Sequence, residues 1–211
     1  KDATDILALH GVKPVAVEKY GPKDTDMTSQ LNKIKAAGAD TVIIYGIADG
    51  AAQVLRSMEK INYMPITLGT WGNLSSLLPK MAGTKLAEHL IMAASTTEDT
   101  SAKTKSLGQR VRVNFPTLTT FPCSAQAYDS VMLLAAAMKQ ANSTDGEKVA
   151  AALESLNKTE GVIKTYDKPF SKTNHEGLSV SDFYLARWKG SEVVRFEDPI
   201  YKSLTPADLK K

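Results

Sequence analysis

The chain is predicted to be an α/β protein: a parallel sheet with helices on both faces, followed by a helical segment and a closing β-hairpin. Three observations predict it. Short β-branched runs alternate with amphipathic stretches from residue 14 to residue 93. From residue 102 to residue 156 three helical stretches follow one another with no convincing strand between them. Finally, 211 residues with 43% hydrophobic and 23% charged side chains are enough to bury a core and too polar for a membrane bundle.

The elements follow in chain order. Pro14 to Lys19, with Val15 and Val17, reads as a strand, and Thr41 to Tyr45 is a continuous apolar run of the kind found in a strand covered on both faces. Pro65 to Leu68 and His89 to Ala93 are weaker strand candidates. Between them, Met27 to Ala37 places Met27, Leu31 and Ile34 on one helical face, with Asp26 as N-cap and Gly38 as stop. Gly50 to Lys60 repeats the pattern with Ala51, Val54, Leu55 and Met58, and a shorter helix around Ser75 to Met81 ends at Gly83. Strand, helix and strand at this spacing make βαβ units, and consecutive units give a parallel sheet. Ala102 to Val113, Ala125 to Gln140 and Glu147 to Leu156 are the three later helices. Asp182 to Trp188 and Glu192 to Phe196 are alternating strands joined by a glycine-containing turn, which predicts a hairpin.

Composition removes several classes of function. The net charge of +3 comes from 26 Lys and Arg scattered among 23 Asp and Glu, with no basic stripe to track phosphates, so nucleic acid is not an expected partner. One cysteine, Cys123, permits no internal disulfide and no zinc site built from cysteine pairs. The longest apolar stretches, from Thr41 and from Val131, fall short of the roughly 20 residues that a spanning helix needs. The chain opens without methionine and without a charged start followed by an apolar block, and the expectation is that something upstream has been removed. No phosphate loop, dinucleotide fingerprint, nucleophile elbow or HExxH helix occurs, and no cofactor is implied. His10, His89 and His175 are far apart in sequence and none lies beside a nucleophile, so neither a metal site nor catalysis is expected of them. Cys123 reads first as a small hydrophobe rather than a nucleophile.

An open parallel sheet binds ligands outside the carboxyl ends of its strands, which directs attention to the loops there. Tyr45 to Gly50 follows the strongest strand and Gly69 to Asn73 follows the next. Each carries an aromatic ring, glycines that let a ligand approach the backbone, and polar atoms (Asp49, Thr70, Asn73) beside amides at a helix start, a setting that favours an anionic group. The other reading keeps Tyr45 and Trp71 as caps on the sheet edge and the glycines as turn residues.

In sequence, Asp26 to Gly46 (DMTSQLNKIKAAGADTVIIYG) resembles the signature stretch of the Leu/Ile/Val-binding protein family of periplasmic solute-binding proteins. The next two units, from Gln53 to Thr70 and from Leu77 to Ala93, resemble that family's following units. Ala125 to Ala141 is similar to its helix returning to the first lobe, and Gly161 to Leu178 with Asp182 to Phe196 to its final crossover and hairpin. No single motif is decisive, but their succession covers nearly the whole chain.

The resemblance implies the periplasmic-binding-protein type I fold: an incomplete second lobe over residues 1–97, a helical segment of the first lobe over 98–158, and a crossover and hairpin returning to the second lobe over 159–211. It implies a periplasmic protein, not an enzyme, that closes on a small organic acid or amino acid and delivers it to an ABC permease, with the opening part of the first lobe absent here. The solute contacts it implies are Tyr45, Gly46, Ile47, Thr70, Trp71 and Gly72, with Asp49 beside them and Phe121 and Cys123 before the returning helix. Where amino-acid binders of the family place a glutamate against the ligand's ammonium, this chain has Trp71. A buried ammonium without a counter-charge costs several kcal/mol. The solute is therefore expected to be a non-amino organic or aromatic acid, unless Asp49 takes the place of the missing acid. A ligand-sensing domain of a receptor or regulator with the same bilobed fold remains the alternative.

Overall fold

The computed structural model describes residues 2–199 and Ser203, so the end of the segment read as a returning hairpin lies outside the described residues. The chain forms two compact units, one of residues 1–93 with 184–211 and one of residues 94–183.

The first unit is the α/β layer. Its helices are α1 (Asp2–Leu9), α2 (Thr28–Ala36), α3 (Ala48–Lys60), α4 (Leu77–Ala82) and α5 (Thr84–Ala87), and its strands are β1 (Thr41–Ile44), β2 (Ile66–Gly69) and β3 (Leu90–Ala94). Two strands from the end of the chain, β6 (Tyr184–Lys189) and β7 (Glu192–Arg195), complete a sheet of order β1-β2-β3-β6-β7. The first three strands are parallel, with Ile44 opposite Gly69 and Gly69 opposite Met92, and β6 and β7 form the expected antiparallel hairpin. Helical crossovers join β1 to β2 and β2 to β3, so the carboxyl ends of these parallel strands lie side by side, which is what positions the loops described below.

The core forms where the apolar period of α3 meets the sheet. Ala51, Ala52, Leu55 and Met58 are almost fully buried, as their spacing predicts, and so are Leu78, Leu90 and Met92. Helix α4 stops at Gly83, whose φ of 88° lies in the region that favours glycine. At the start of α2 the cap differs from expectation. Met27 takes the N-cap position, and Asp26, one residue earlier, accepts from the Thr28 N–H at 2.8 Å instead. Asp26 also pairs with Lys60 at 2.7 Å. The Met27 N–H donates to Ser57 Oγ at 3.0 Å, tying α2 to α3.

Two strand expectations need correction. Pro14 to Lys19 bends at Val15 and pairs with no strand; Val15 and Val17 are 63% and 72% exposed. A groove of about 640 Å³, lined by Leu7, Val12, Met27, Leu31 and Ile34 among others, lies between this stretch and β1 where a ladder of hydrogen bonds would have to run. Pro14 has no N–H to give such a ladder, and the Lys19 carbonyl takes its hydrogen bond from the Gln30 side chain at 3.2 Å. The second correction concerns β1, which alternates exposed and buried residues and leaves Ile43 46% exposed. Because β1 ends the sheet order, a run of apolar residues here reports β propensity rather than cover on both faces.

The second unit contains α6 (Ala102–Asn114), α7 (Phe121–Ala141), α8 (Gly146–Glu154) and a two-residue antiparallel pair, β4 (Thr159–Glu160) with β5 (Thr165–Tyr166). Ser101 and Thr104 close a capping box at the start of α6, and Asp145 caps α8 through the Lys148 N–H at 3.1 Å. Helix α7 begins at Phe121, four residues before the predicted start at Ala125. Pro122 stands in its first turn, where a missing N–H costs nothing. Leu133 and Ala137 of α7 pack with Val149 and Ala152 of α8, Leu156 and Tyr166.

The irregular crossover of this unit is organised by one carboxylate. Asp129, 1% exposed, accepts from the Val162 N–H (2.6 Å), the Ile163 N–H (3.0 Å) and the Tyr166 hydroxyl (2.9 Å). A Cβ on Gly161 would collide with this carboxylate, so the turn passes only as glycine. Burial pushes the Tyr166 phenol well above its ordinary value, and the adjacent Asp129 charge adds to the effect. Removing Asp129 leaves three donors without a partner. Asp129→Ala is expected to cost about 3 kcal/mol in urea denaturation, with Asp129→Asn, which keeps one acceptor oxygen, falling between the two.

Asp182 anchors the end of the same crossover. Burial pushes its carboxyl up, but hydrogen bonds from Lys164 Nζ (2.6 Å) and from the Ser179 N–H (2.7 Å) and hydroxyl (3.0 Å) outweigh burial and hold it below its ordinary value. The stabilisation is therefore complete above the unfolded pKa of about 4 and disappears as pH falls through the lower folded pKa. In urea melts across pH, Asp182→Asn is expected to be destabilised by about 1 kcal/mol near neutrality, with the difference from wild type closing as the solution is acidified below that value.

Candidate functional site

The two loops singled out by the sequence lie together in the first unit because β1 and β2 are parallel neighbours in register. Residues 45–47 lead from β1 into α3, and residues 70–73 lead from β2 through a single 3-10 turn, Trp71–Asn73. The loops are bonded to each other at one atom. The Gly46 carbonyl accepts from Thr70 Oγ1 at 2.6 Å and from Asn73 Nδ2 at 3.3 Å. Asn73 is fully buried, and its own carbonyl accepts from the indole Nε1 of buried Trp188 in β6 at 3.3 Å. The closing hairpin thus holds the second loop, and the second loop holds the first.

The rings face outward. Tyr45 is 77% exposed, Ile47 66% and Trp71 44%, so none of the three serves the core of this unit. Ile47 occupies the N-cap position of α3 with no side chain capping the helix, which leaves amides of the first turn as available donors. Asp49 is exposed in that first turn. Thr70 and Gly72 are half-buried, and Gly72 lies against Ile47: a Cβ there would come within 3.1 Å of Ile47 Cγ2. Tyr45, Gly46, Ile47, Asp49, Thr70, Trp71 and Gly72 are thereby brought to one end of one sheet. Phe121 and Cys123 stand in the second unit, in the first turn of α7, Phe121 half-buried and Cys123 exposed with the Thr120 hydroxyl donating to its sulfur at 3.6 Å.

The glycines also serve packing within the fold. The space beside them is filled by protein side chains. A Cβ on Gly46 would collide with the hydroxyl of Tyr20, and one on Gly50 would stand 2.6 Å from Tyr20 Cε2. A Cβ on Gly69 would stand 2.5 Å from Asn73 Oδ1, an atom with no hydrogen-bond partner among the described residues. Tyr20 was not legible as a site residue; the only signal was the pair of glycines four apart, which reads equally as a flexible turn.

His89 bonds to the Pro65 carbonyl (2.8 Å) and His175 to Glu154 (3.3 Å), and among the described residues no three His, Cys, Asp or Glu stand close enough to hold a metal ion. The joint at Gly46 is the part that a substitution can test. Thr70→Val keeps the shape and removes one donor, and is expected to cost about 1 kcal/mol in chemical denaturation. Combined with Asn73→Ala, the loss should exceed the sum of the single losses, since the second change then leaves the Gly46 carbonyl with no donor.

The profile of the family described as "Periplasmic binding protein" matches residues 1–192. No curated protein matches the chain in sequence. Among solved structures, a periplasmic binding protein type 1 from Bordetella pertussis is 24% identical with a TM-score of 0.76, over 92% of this chain and 55% of its own. An extracellular ligand-binding receptor from Rhodopseudomonas palustris is 22% identical with a TM-score of 0.76, over 93% and 58%. A branched-chain amino acid ABC transporter from Thermus thermophilus with bound valine is 18% identical with a TM-score of 0.72, over 95% and 57%. The chain therefore spans a little over half the length of these structures, and at such identities the likeness is one of fold. With a parallel sheet whose two carboxyl-end loops are tied at Gly46, and a family profile that runs through all but its last 19 residues, this chain belongs to the periplasmic binding protein family.

Proposed function

We propose that the chain is part of the solute-binding component of an ABC importer, which captures a small organic acid or amino acid outside the cytoplasmic membrane and delivers it to a permease. The observation that carries the reading is a pair of outward-facing rings, Tyr45 and Trp71, on two loops fixed to each other beside the uncapped first turn of α3. Loops tied to each other by a buried network have already lost backbone mobility that binding would otherwise cost. Solute-binding proteins of known structure share the fold, one of them with valine bound.

In this reading Tyr45, Gly46, Ile47, Thr70, Trp71 and Gly72 are the face that one lobe offers to the solute. The first-turn amides of α3 favour a carboxylate, and Trp71 supplies a flat apolar wall. Asp49 is the one acidic group in these loops able to meet an ammonium. We favour a non-amino organic or aromatic acid, because Asp49 lies exposed on the helix surface, where water and salt screen a carboxylate, rather than enclosed beside the indole.

Titration calorimetry of the full-length protein with leucine and with benzoate tests both levels. Benzoate is expected to bind more tightly than leucine, and Trp71→Ala to weaken it by about tenfold or more. Tight binding of leucine that is lost in Asp49→Asn would show that the solute is an amino acid with Asp49 as its counter-charge.

A further inference from the structure

We propose that Tyr20 is a positioning residue for the solute-contacting loop: its phenol fills the space over Gly46 and Gly50 and so holds Tyr45, Ile47 and the first turn of α3 in their binding shape. The inference rests on the solute-binding reading and adds to it a residue that lies before β1, outside both loops.

The geometry is mutual. The hydroxyl of Tyr20 occupies the position that a Cβ on Gly46 would take, and its ring edge stands 2.6 Å from where a Cβ on Gly50 would be. One aromatic side chain thus occupies the empty side of both glycines at once, across the bend where the chain leaves β1 and begins α3. The glycine at position 50 lies inside α3, where alanine would favour the helix by about 1 kcal/mol. Propensity therefore argues against glycine there, while the contact with Tyr20 requires it. Tyr20 is half-buried although its neighbours Val15 and Val17 are exposed, and burial raises its phenol above the ordinary value.

The loop is thereby gripped from two sides. Thr70 and Asn73 hold the Gly46 carbonyl, and Tyr20 covers the Gly46 α-carbon. The first grip fixes one loop to the other. The second fixes the direction in which α3 starts, and with it the amides that meet a carboxylate. The segment that carries Tyr20 pairs with no strand, so the side chain and not a backbone ladder performs this role.

The test uses the full-length protein as wild type, Tyr20→Phe, Tyr20→Ala and Tyr20→Ala with Gly50→Ala. Amide hydrogen exchange is followed at residues 46–51 without solute, and affinity is followed by calorimetry with leucine and benzoate. Tyr20→Ala is expected to speed exchange at 46–51 by about tenfold while exchange in β2 and β3 stays at the wild-type rate. It should weaken whichever acid the wild type binds by about tenfold. Tyr20→Phe keeps the ring over Gly50 and should restore most of both. Adding Gly50→Ala to Tyr20→Ala should recover part of the exchange protection by filling the vacated space, a coupling that a general loss of stability would not produce. Unchanged exchange at 46–51 in Tyr20→Ala overturns the proposal, and so does faster exchange with wild-type affinity. A wild type that binds neither acid counts against the solute reading itself, and exchange then decides the grip alone.

Discussion

The arrangement of the candidate site depends on one acceptor, the carbonyl of Gly46. In a parallel sheet the ladder ends with the strands, here at Ile44 opposite Gly69, and beyond that point nothing in the backbone obliges two loops to stay together. The Thr70 hydroxyl and the Asn73 amide supply the missing constraint by converging on that one oxygen. Asn73 can do so because it is itself immobilised, fully buried and held through its main-chain carbonyl by the indole of Trp188, 115 residues further along the chain. A local contact between two short loops is in this way secured by a strand from the far end of the sequence. The cost is an oxygen, Asn73 Oδ1, left without a hydrogen bond among the described residues and pressed toward Gly69.

The second unit solves a comparable problem with charge. Residues 157–183 contain only two very short strands and a 3-10 turn, too little regular structure to satisfy a crossover's backbone. Asp129 meets that need from the buried side of α7. A buried carboxylate is costly unless its oxygens are occupied, and three donors from the crossover occupy them. The apolar stripe of α7 around it, Ala125, Leu133 and Ala137, excludes water and makes those bonds matter. Asp182 performs a weaker version of the same service nearer to solvent, where Lys164 rather than enclosure keeps it ionised. Units built this way keep their loops ordered without long strands.

Much of this was legible from side-chain periodicity. The buried face of α3, the presence of α7 and α8, the stop at Gly83 and the pairing of β6 with β7 all follow from spacing and turn chemistry, because each depends on residues within a few positions of one another. The failures share a different cause. Val15 and Val17 carry strand propensity, but a strand exists only where a ladder forms, and among the described residues none joins this stretch to β1. The run from Thr41 to Ile44 looked enclosed because apolar composition does not report which end of a sheet a strand occupies. Asp129 sits in the middle of an amphipathic pattern, where an acid reads as the solvent face; its donors come from residues 162, 163 and 166 and cannot be seen from the helix. Tyr20 and Trp188 escaped notice for the same reason, since each acts on a loop through space.

The glycines of the two loops show how far such non-local effects alter the meaning of a residue. In sequence, Gly46, Gly50 and Gly69 suggest bare backbone held open for a guest. In the fold the side of each where a Cβ would stand is taken by Tyr20 or Asn73, so glycine there serves close packing. What faces outward is a set of groups on tied loops: the Tyr45 ring, the Ile47 side chain, the Trp71 indole and, at the start of α3, amides that no side chain caps among the described residues. A surface of that kind discriminates by shape and charge without rearranging. Under the proposed solute-binding reading, its apolar part and the exposed position of its acid, Asp49, favour a flat or branched body with a carboxylate over one with an ammonium. In that reading Trp71 is the position at which specificity resides, on a loop whose backbone is fixed through Asn73.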